Sequence, residues 1–277
     1  MPRDLATSAG QPRPVVVGLS HDQPALLNAA RELALTFDVP LRVVHAYWTS
    51  ASTADLSRGR DVRAVVRVAA ERVLDSARER LGDVDGMDVQ YDARFATVAR
   101  GLEAESAAST LVVIGRHRSA WPGLLRTGHA TRHVAMHAAC PVIIVPEEES
   151  PQGRDVVVAV DVASVSRGAM RFATDLARRW GAPLNVVSVA VADLAGPARE
   201  QHHARLDRAV HEWRATGLDM STHVVPGDAR VALRGLSETA RIVVVGRPRA
   251  LAEVPPLGRS AAMPLLSQAR CPVAVAP

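Results

Sequence analysis

His129, His133 and His137 recur at four-residue steps. On a helix that spacing lines side chains along one face, where imidazoles could close on a metal ion. His203, Asp207 and His211 repeat the step on a second helix, one charged throughout, for which a solvated face is the plainer reading. Cys140 and Cys271 each precede a Pro-Val strand start. Two thiols make no disulfide framework, and at such positions cysteine serves as a small buried hydrophobe. The chain has neither a G-x-S-x-G elbow nor an H-E-x-x-H pair, and no order of Ser, His and Asp marks a triad.

The cationic side chains say more. All 33 Lys-plus-Arg residues are arginine. Without lysine there is no phosphate-loop lysine, no Schiff base and no lysine general base, which excludes P-loop NTPases, kinases and pyridoxal enzymes. Up to Pro146 there are 17 arginines against 15 acidic residues, and 16 against 14 afterwards, so charge is spread evenly. A nucleic-acid binder needs a clustered basic stripe and a motif, and neither is present. No apolar run approaches the roughly 20 residues of a membrane span. The stretch between Arg3 and Arg13 lacks the apolar segment of a signal peptide, so a cytoplasmic protein is expected.

The elements that must position these residues come twice. Leu111–Gly115 (LVVIG) returns as Ile242–Gly246 (IVVVG), and Cys140–Pro146 (CPVIIVP) as Cys271–Pro277 (CPVAVAP), both at an offset of 131 residues. Upstream, Pro14–Ser20 matches Asp155–Asp161, and Val39–Tyr47 matches Ala182–Ala190, at offsets of 141 and 143. The first copy therefore carries extra residues, which fall around Thr49–Gly59. The repeat divides the 277 residues into domains 1–146 and 155–277, joined by a polar linker at 147–154.

Within each copy short Val-rich runs, apolar on both faces, alternate with amphipathic stretches. Strands are predicted near 14–19, 41–47, 87–92, 110–115 and 141–146, then 155–161, 183–191, 219–225, 241–246 and 271–276. Helices are predicted over Pro24–Phe37, Asp61–Leu81, Ala96–Ala108 and Gly128–Ala138. Such alternation predicts an α/β chain of two tandem, doubly wound, five-stranded parallel sheets. Ligands on such sheets sit outside the carboxyl ends of the strands, where the winding direction switches.

The segment after each fourth strand carries a resemblance. Gly115-Arg-His-Arg118, nine residues and Gly128-His129 lead into a helix that ends in Ala-Ala-Cys-Pro-Val. With Leu-Val-Val-Ile-Gly before it, this resembles the universal stress protein family, nearly along the whole chain and twice over. Members that bind nucleotide carry G-x2-G-x9-G-[S/T] here. The resemblance implies an adenine-nucleotide-hydrolase-like fold, with final edge strands that pair two domains about a pseudo-twofold axis. Here such pairing would make an internal dimer, and further association to a homodimer stays open. Family members also carry histidines at the places of His133 and His137 without a metal being implied, so no metal is assigned.

The resemblance puts forward ATP as ligand, but the motif is degenerate in both halves. Gly115 and Gly128 remain in the first, while Arg118 stands for the second glycine and His129 for the hydroxyl residue. Gly246 and Ser260 remain in the second, where Arg249 and Arg259 replace glycines and Gly258 lies one position early. The family's adenosine-contacting aspartate corresponds to Asp161, against Ser20 in the first half. The glycine after the third strand corresponds to Gly227, against Ala96. A side chain at a phosphate-cradling turn blocks close approach, although a guanidinium is itself a good phosphate ligand. The expectation is a stress-response binding and regulatory module with ATP binding weakened or lost and the better candidate site in the second half. The alternatives are an ATP sensor in which arginines replace motif glycines and, last, an ATP-hydrolysing enzyme. Protein partners are unknown.

Overall fold

The computed structural model describes residues 12–48, 62–83, 86–116, 128–147, 153–190, 196–214, 217–247 and 262–277. The first half runs β1 (Val15–Leu19), α1 (Pro24–Phe37), β2 (Leu41–Tyr47), α2 (Val62–Leu81), β3 (Val89–Phe95), α3 (Val98–Ser106), β4 (Leu111–Gly115), α4 (His129–His137) and β5 (Val142–Val145). The second runs β6 (Val156–Ala159), α5 (Arg167–Trp180), β7 (Leu184–Ala190), α6 (Pro197–Ala209), α7 (His211–Arg214), β8 (Met220–Pro226), α8 (Ala229–Leu236), β9 (Ile242–Gly246), α9 (Ala262–Gln268) and β10 (Val273–Ala276).

All ten strands join one sheet in the order β3-β2-β1-β4-β5-β10-β9-β6-β7-β8. Every neighbouring pair is parallel except β5–β10, which is antiparallel. Each half is thus doubly wound, as the alternation predicts, and the two expected edges cover each other. Register makes the symmetry explicit. Ile143 pairs with Ala274, its own repeat partner, while Val142 pairs with Val275 and Ile144 with Val273. A pseudo-twofold axis passes between Ile143 and Ala274. Pairing the edges inside one chain removes two rows of open backbone groups.

The central strands are buried on both faces, which is why they read as unbroken Val runs. On one face α1, α2, α5 and α6 pack through Leu26, Leu27, Leu74, Met170, Leu176 and Leu206. On the other, α3, α4, α8 and α9 pack through Leu102, Val134, Leu233 and Leu265. The α6 helix is shorter than its charged pattern suggests. It ends at Ala209, where fully buried Val210 turns into the core, and His211 starts the separate α7. The row of His203, Asp207 and His211 is thereby broken.

The halves also meet through side chains. Phe37 of α1 stacks on Phe172 of α5 at 6.2 Å, and the Trp180 indole donates to the Thr36 hydroxyl at 3.1 Å. Arg241 covers the Trp180 ring at 3.9 Å and pairs with Glu32.

Candidate functional site

In each half the winding reverses between the first and fourth strands, so the switch-point crevices lie at the ends of β1 and β4 and of β6 and β9. Asp161 follows β6. Its carboxylate accepts from the Ala163 N–H at 2.9 Å while its carbonyl accepts from the Ser164 N–H at 2.9 Å, a turn that fixes the side chain. Ser166 then caps α5, its hydroxyl accepting from the Ala169 N–H at 3.2 Å.

Gly246 ends β9 beside that cap. A Cβ there would come within 2.6 Å of the Ser166 Cβ. Its counterpart Gly115 ends β4, where a Cβ would meet the Gln23 amide at 2.5 Å, and Gln23 precedes the first residue of α1. Gly246 thus admits the cap of α5 against the strand end, whereas the neighbour of Gly115 is the movable end of the Gln23 side chain. Gly227 is glycine for a different reason. Its φ is +112°, with nothing among the described residues near enough for a Cβ to touch, and its N–H donates to Ala190 O at 2.9 Å. Ala96 makes the matching bond to Tyr47 O at 3.0 Å without a positive φ.

Gly128 precedes α4 with φ −55°, a conformation open to any residue, and His129 is the first residue of that helix. The rings of His129, His133 and His137 stack at 6.4 and 4.3 Å instead of converging. His133 Nε2 meets Glu103 at 2.8 Å, a bond that holds the Glu103 carboxyl below its usual range. Among the described residues no group of three His, Cys, Asp or Glu side chains is arranged to hold a metal. Arg118, Arg249, Arg259 and Ser260 lie outside the described residues.

A cleft of about 420 Å³ opens at Asp161. Its walls are Asp161, Val162 and Ala163 from the turn after β6, and His202, Arg205 and Arg208 from α6. The helical residues sit three apart, which keeps them on one face. His202 Nε2 hydrogen-bonds the hydroxyl of buried Ser188 on β7 at 3.1 Å. The first half differs at each matching place. Ser20 stands for Asp161, its hydroxyl engaged with His21 at 2.8 Å and Gln23 at 3.2 Å. His45 stands for Ser188, donating from Nδ1 to Leu19 O at 3.0 Å, and burial pushes its pKa down.

Of the residues singled out in the sequence, Asp161 therefore lines an open cleft, and Gly246 ends the strand hydrogen-bonded to β6. Gly227 lies at the end of β8, two strands from β6. Gly115, Gly128 and His129 belong to the other half. The sequence reading missed His202, Arg205 and Arg208, although an H-x2-R-x2-R row on a helix was there to be seen.

It also missed Arg116 and Arg247, one position after Gly115 and Gly246. Arg116 donates from Nη1 to Ala269 O at 2.5 Å, and Arg247 donates to Ala138 O. Each guanidinium reaches into the opposite half, to the carbonyl of the residue that follows α9 or α4. Burial lowers the pKa of Arg247 from its ordinary value.

Residues 13–146 match the family described as the universal stress protein family. Over 243 residues the chain is 27% identical to universal stress protein Rv2028c of Mycobacterium tuberculosis, covering 85% of this chain and 86% of that one. A universal stress protein of Mycolicibacterium smegmatis is 27% identical over 257 residues, covering 84% and 86%. Among solved structures, a universal stress protein from Archaeoglobus fulgidus superposes with a TM-score of 0.67 at 16% identity, covering 96% of both chains, a likeness of fold.

Proposed function

The chain is a tandem member of the universal stress protein family, and from that premise we propose that it is a cytoplasmic binding and regulatory module of the stress response, not an enzyme, with ATP binding weakened or lost. Its domains are 1–146 and 155–277, joined by 147–154. The observation that carries this reading is the use made of the motif glycines. The space beside Gly115 and Gly246 is taken by Gln23 and Ser166, and Gly128 needs no glycine backbone. Gly246 serves helix packing and Gly115 is covered by a side chain, whereas phosphate-cradling turns would demand the reverse, an open approach to backbone N–H groups.

The surviving small-molecule site belongs to the second half, where Asp161 faces a cleft and Gly227 holds its positive φ. The test is to denature freshly purified protein, identify released small molecules by mass spectrometry, and titrate the native protein with ATP in a calorimeter. Neither stoichiometric nucleotide nor micromolar binding is expected. Stoichiometric ATP, or micromolar affinity, overturns the reading.

A further inference from the structure

We propose that His203 is a pH-sensitive clasp, which as the doubly protonated imidazolium ties α6 to the edge strand β8 and on losing a proton lets the helix loosen.

The ring lies between two acceptors. Its Nδ1 donates to Asp207 Oδ2 at 3.1 Å and its Nε2 donates to Thr222 O at 3.2 Å. A carboxylate and a carbonyl have no proton to give, and a neutral imidazole has a single N–H. Only the imidazolium makes both bonds. The carbonyl belongs to the rim of the sheet. The Leu184 N–H donates to Asp219 O at 2.8 Å, so along β8 the odd-numbered carbonyls turn to β7 and Thr222 O points outward. Because β8 ends the sheet, His203 covers one of its open backbone groups.

The rest of the cluster is arranged around Asp207. Its Oδ1 accepts from the Thr222 hydroxyl at 2.8 Å and from Arg214 of α7 at 2.5 Å, and Arg214 also reaches that hydroxyl at 3.2 Å. Burial pushes the Asp207 carboxyl up, but the donors Thr222 and Arg214 and the charges of His203 and Arg214 outweigh it and hold it below its usual range. Asp207 therefore stays an acceptor at any pH where histidine titrates. The charged groups of the cluster are thus Asp207 from α6 and Arg214 from α7, while β8 presents Thr222. His223, next along β8, turns to the other face, where its Nε2 meets the Ser221 hydroxyl at 2.8 Å.

These bonds matter because α6 has little else to hold it. Of its 13 residues only Leu206 is buried, whereas its counterpart α2 buries Ala70, Leu74, Ala77 and Leu81. Histidine is the side chain whose charge ordinarily changes between pH 5 and 8. Below that change both bonds stand. Above it the ring keeps one N–H, one acceptor is left without a donor, and α6 loses hold as pH rises. The neighbouring His202 differs, because the Ser188 hydroxyl it bonds can donate or accept and a neutral ring suffices.

Hydrogen exchange of the intact chain at pH 5.5 and 8.5 tests the clasp, read as protection factors so that the intrinsic pH dependence of exchange divides out. The variants are H203Q, H203R and H202Q. His203 is half-exposed, so each should fold, and equal protection of β6 and β9 throughout checks this. In the parent, protection of α6 should fall by about fivefold from the lower pH to the higher, while α2 stays level. Glutamine has no charge to lose, so H203Q should show low protection at both values. Arginine keeps its charge, so H203R should show no fall, and H202Q should respond as the parent does. A parent whose α6 protection holds at pH 8.5 overturns the proposal. So does a fall that survives in H203Q, or one that H202Q abolishes.

Discussion

At the scale of the residue, the replacement of all lysine by arginine decides less by what it excludes than by where the guanidiniums go. Arg116 and Arg247 reach carbonyls in the opposite half, and Arg205 and Arg208 line the cleft. The cysteines fit the role their positions suggest. Both are buried, and burial pushes each thiol up to about 12, so neither offers a thiolate near neutrality. A thiol reagent at pH 8 should label neither residue until the protein unfolds, and rapid labelling of the native state would refute this burial. The linkage has a definite sign. The folded pKa lies above the ordinary thiol value of about 8.5, so the native state keeps two protons that the unfolded chain releases. That contribution is whole below the ordinary thiol value and is lost as pH rises towards 12. Between pH 8 and 11, the doubly substituted Cys140→Ala/Cys271→Ala protein should therefore lose less unfolding free energy than the parent.

At the scale of the element, equivalent helices begin and end by different chemistry. The α5 helix starts with a Ser166 cap and stops at Gly181 with φ +58°. Its counterpart α1 starts with Pro24 after an uncapped Gln23 and stops at Asp38 with φ +55°. The N–H of Asp38 and that of Val39 close back on Leu35 O and Ala34 O, so the left-handed turn is required. Aspartate holds that conformation at a cost of about 1 kcal/mol relative to glycine. Asp38→Gly should raise stability by roughly 0.5–1 kcal/mol in denaturant unfolding. The reverse exchange, Gly181→Asp, should lower it by a similar amount. No change in either midpoint would mean that the turn relaxes without strain.

At the scale of the whole molecule, one ten-stranded sheet is closed by β5 and β10 and clasped by two symmetric arginines. Each guanidinium lies at the carboxyl end of a helix from the other half, where a cation also meets the negative end of the helix dipole. Arg116→Met and Arg247→Met keep most of the aliphatic stem and remove the donors. Each should cost about 1–3 kcal/mol in unfolding while the fold persists. Unchanged unfolding midpoints would rule out the clasp as a stabilising contact.

The sequence by itself determined the repeat and the alternation that makes each half doubly wound, the family resemblance supplied the pairing of the final strands, and the order of the ten strands came from the folded chain. A parallel strand buried on both faces must be apolar along its whole length, so Leu111–Gly115 and Ile242–Gly246 announce themselves locally. Glycines at 115 and 246 were equally legible as a motif, but their work was not. Only the folded chain shows Ser166 against Gly246, or Arg205 across a cleft from Asp161. Those partners are distant along the chain, and no local periodicity records them. They meet because two helices are laid across the ends of the same sheet, and that meeting decides which arginines line the cleft and which reach across to the other half.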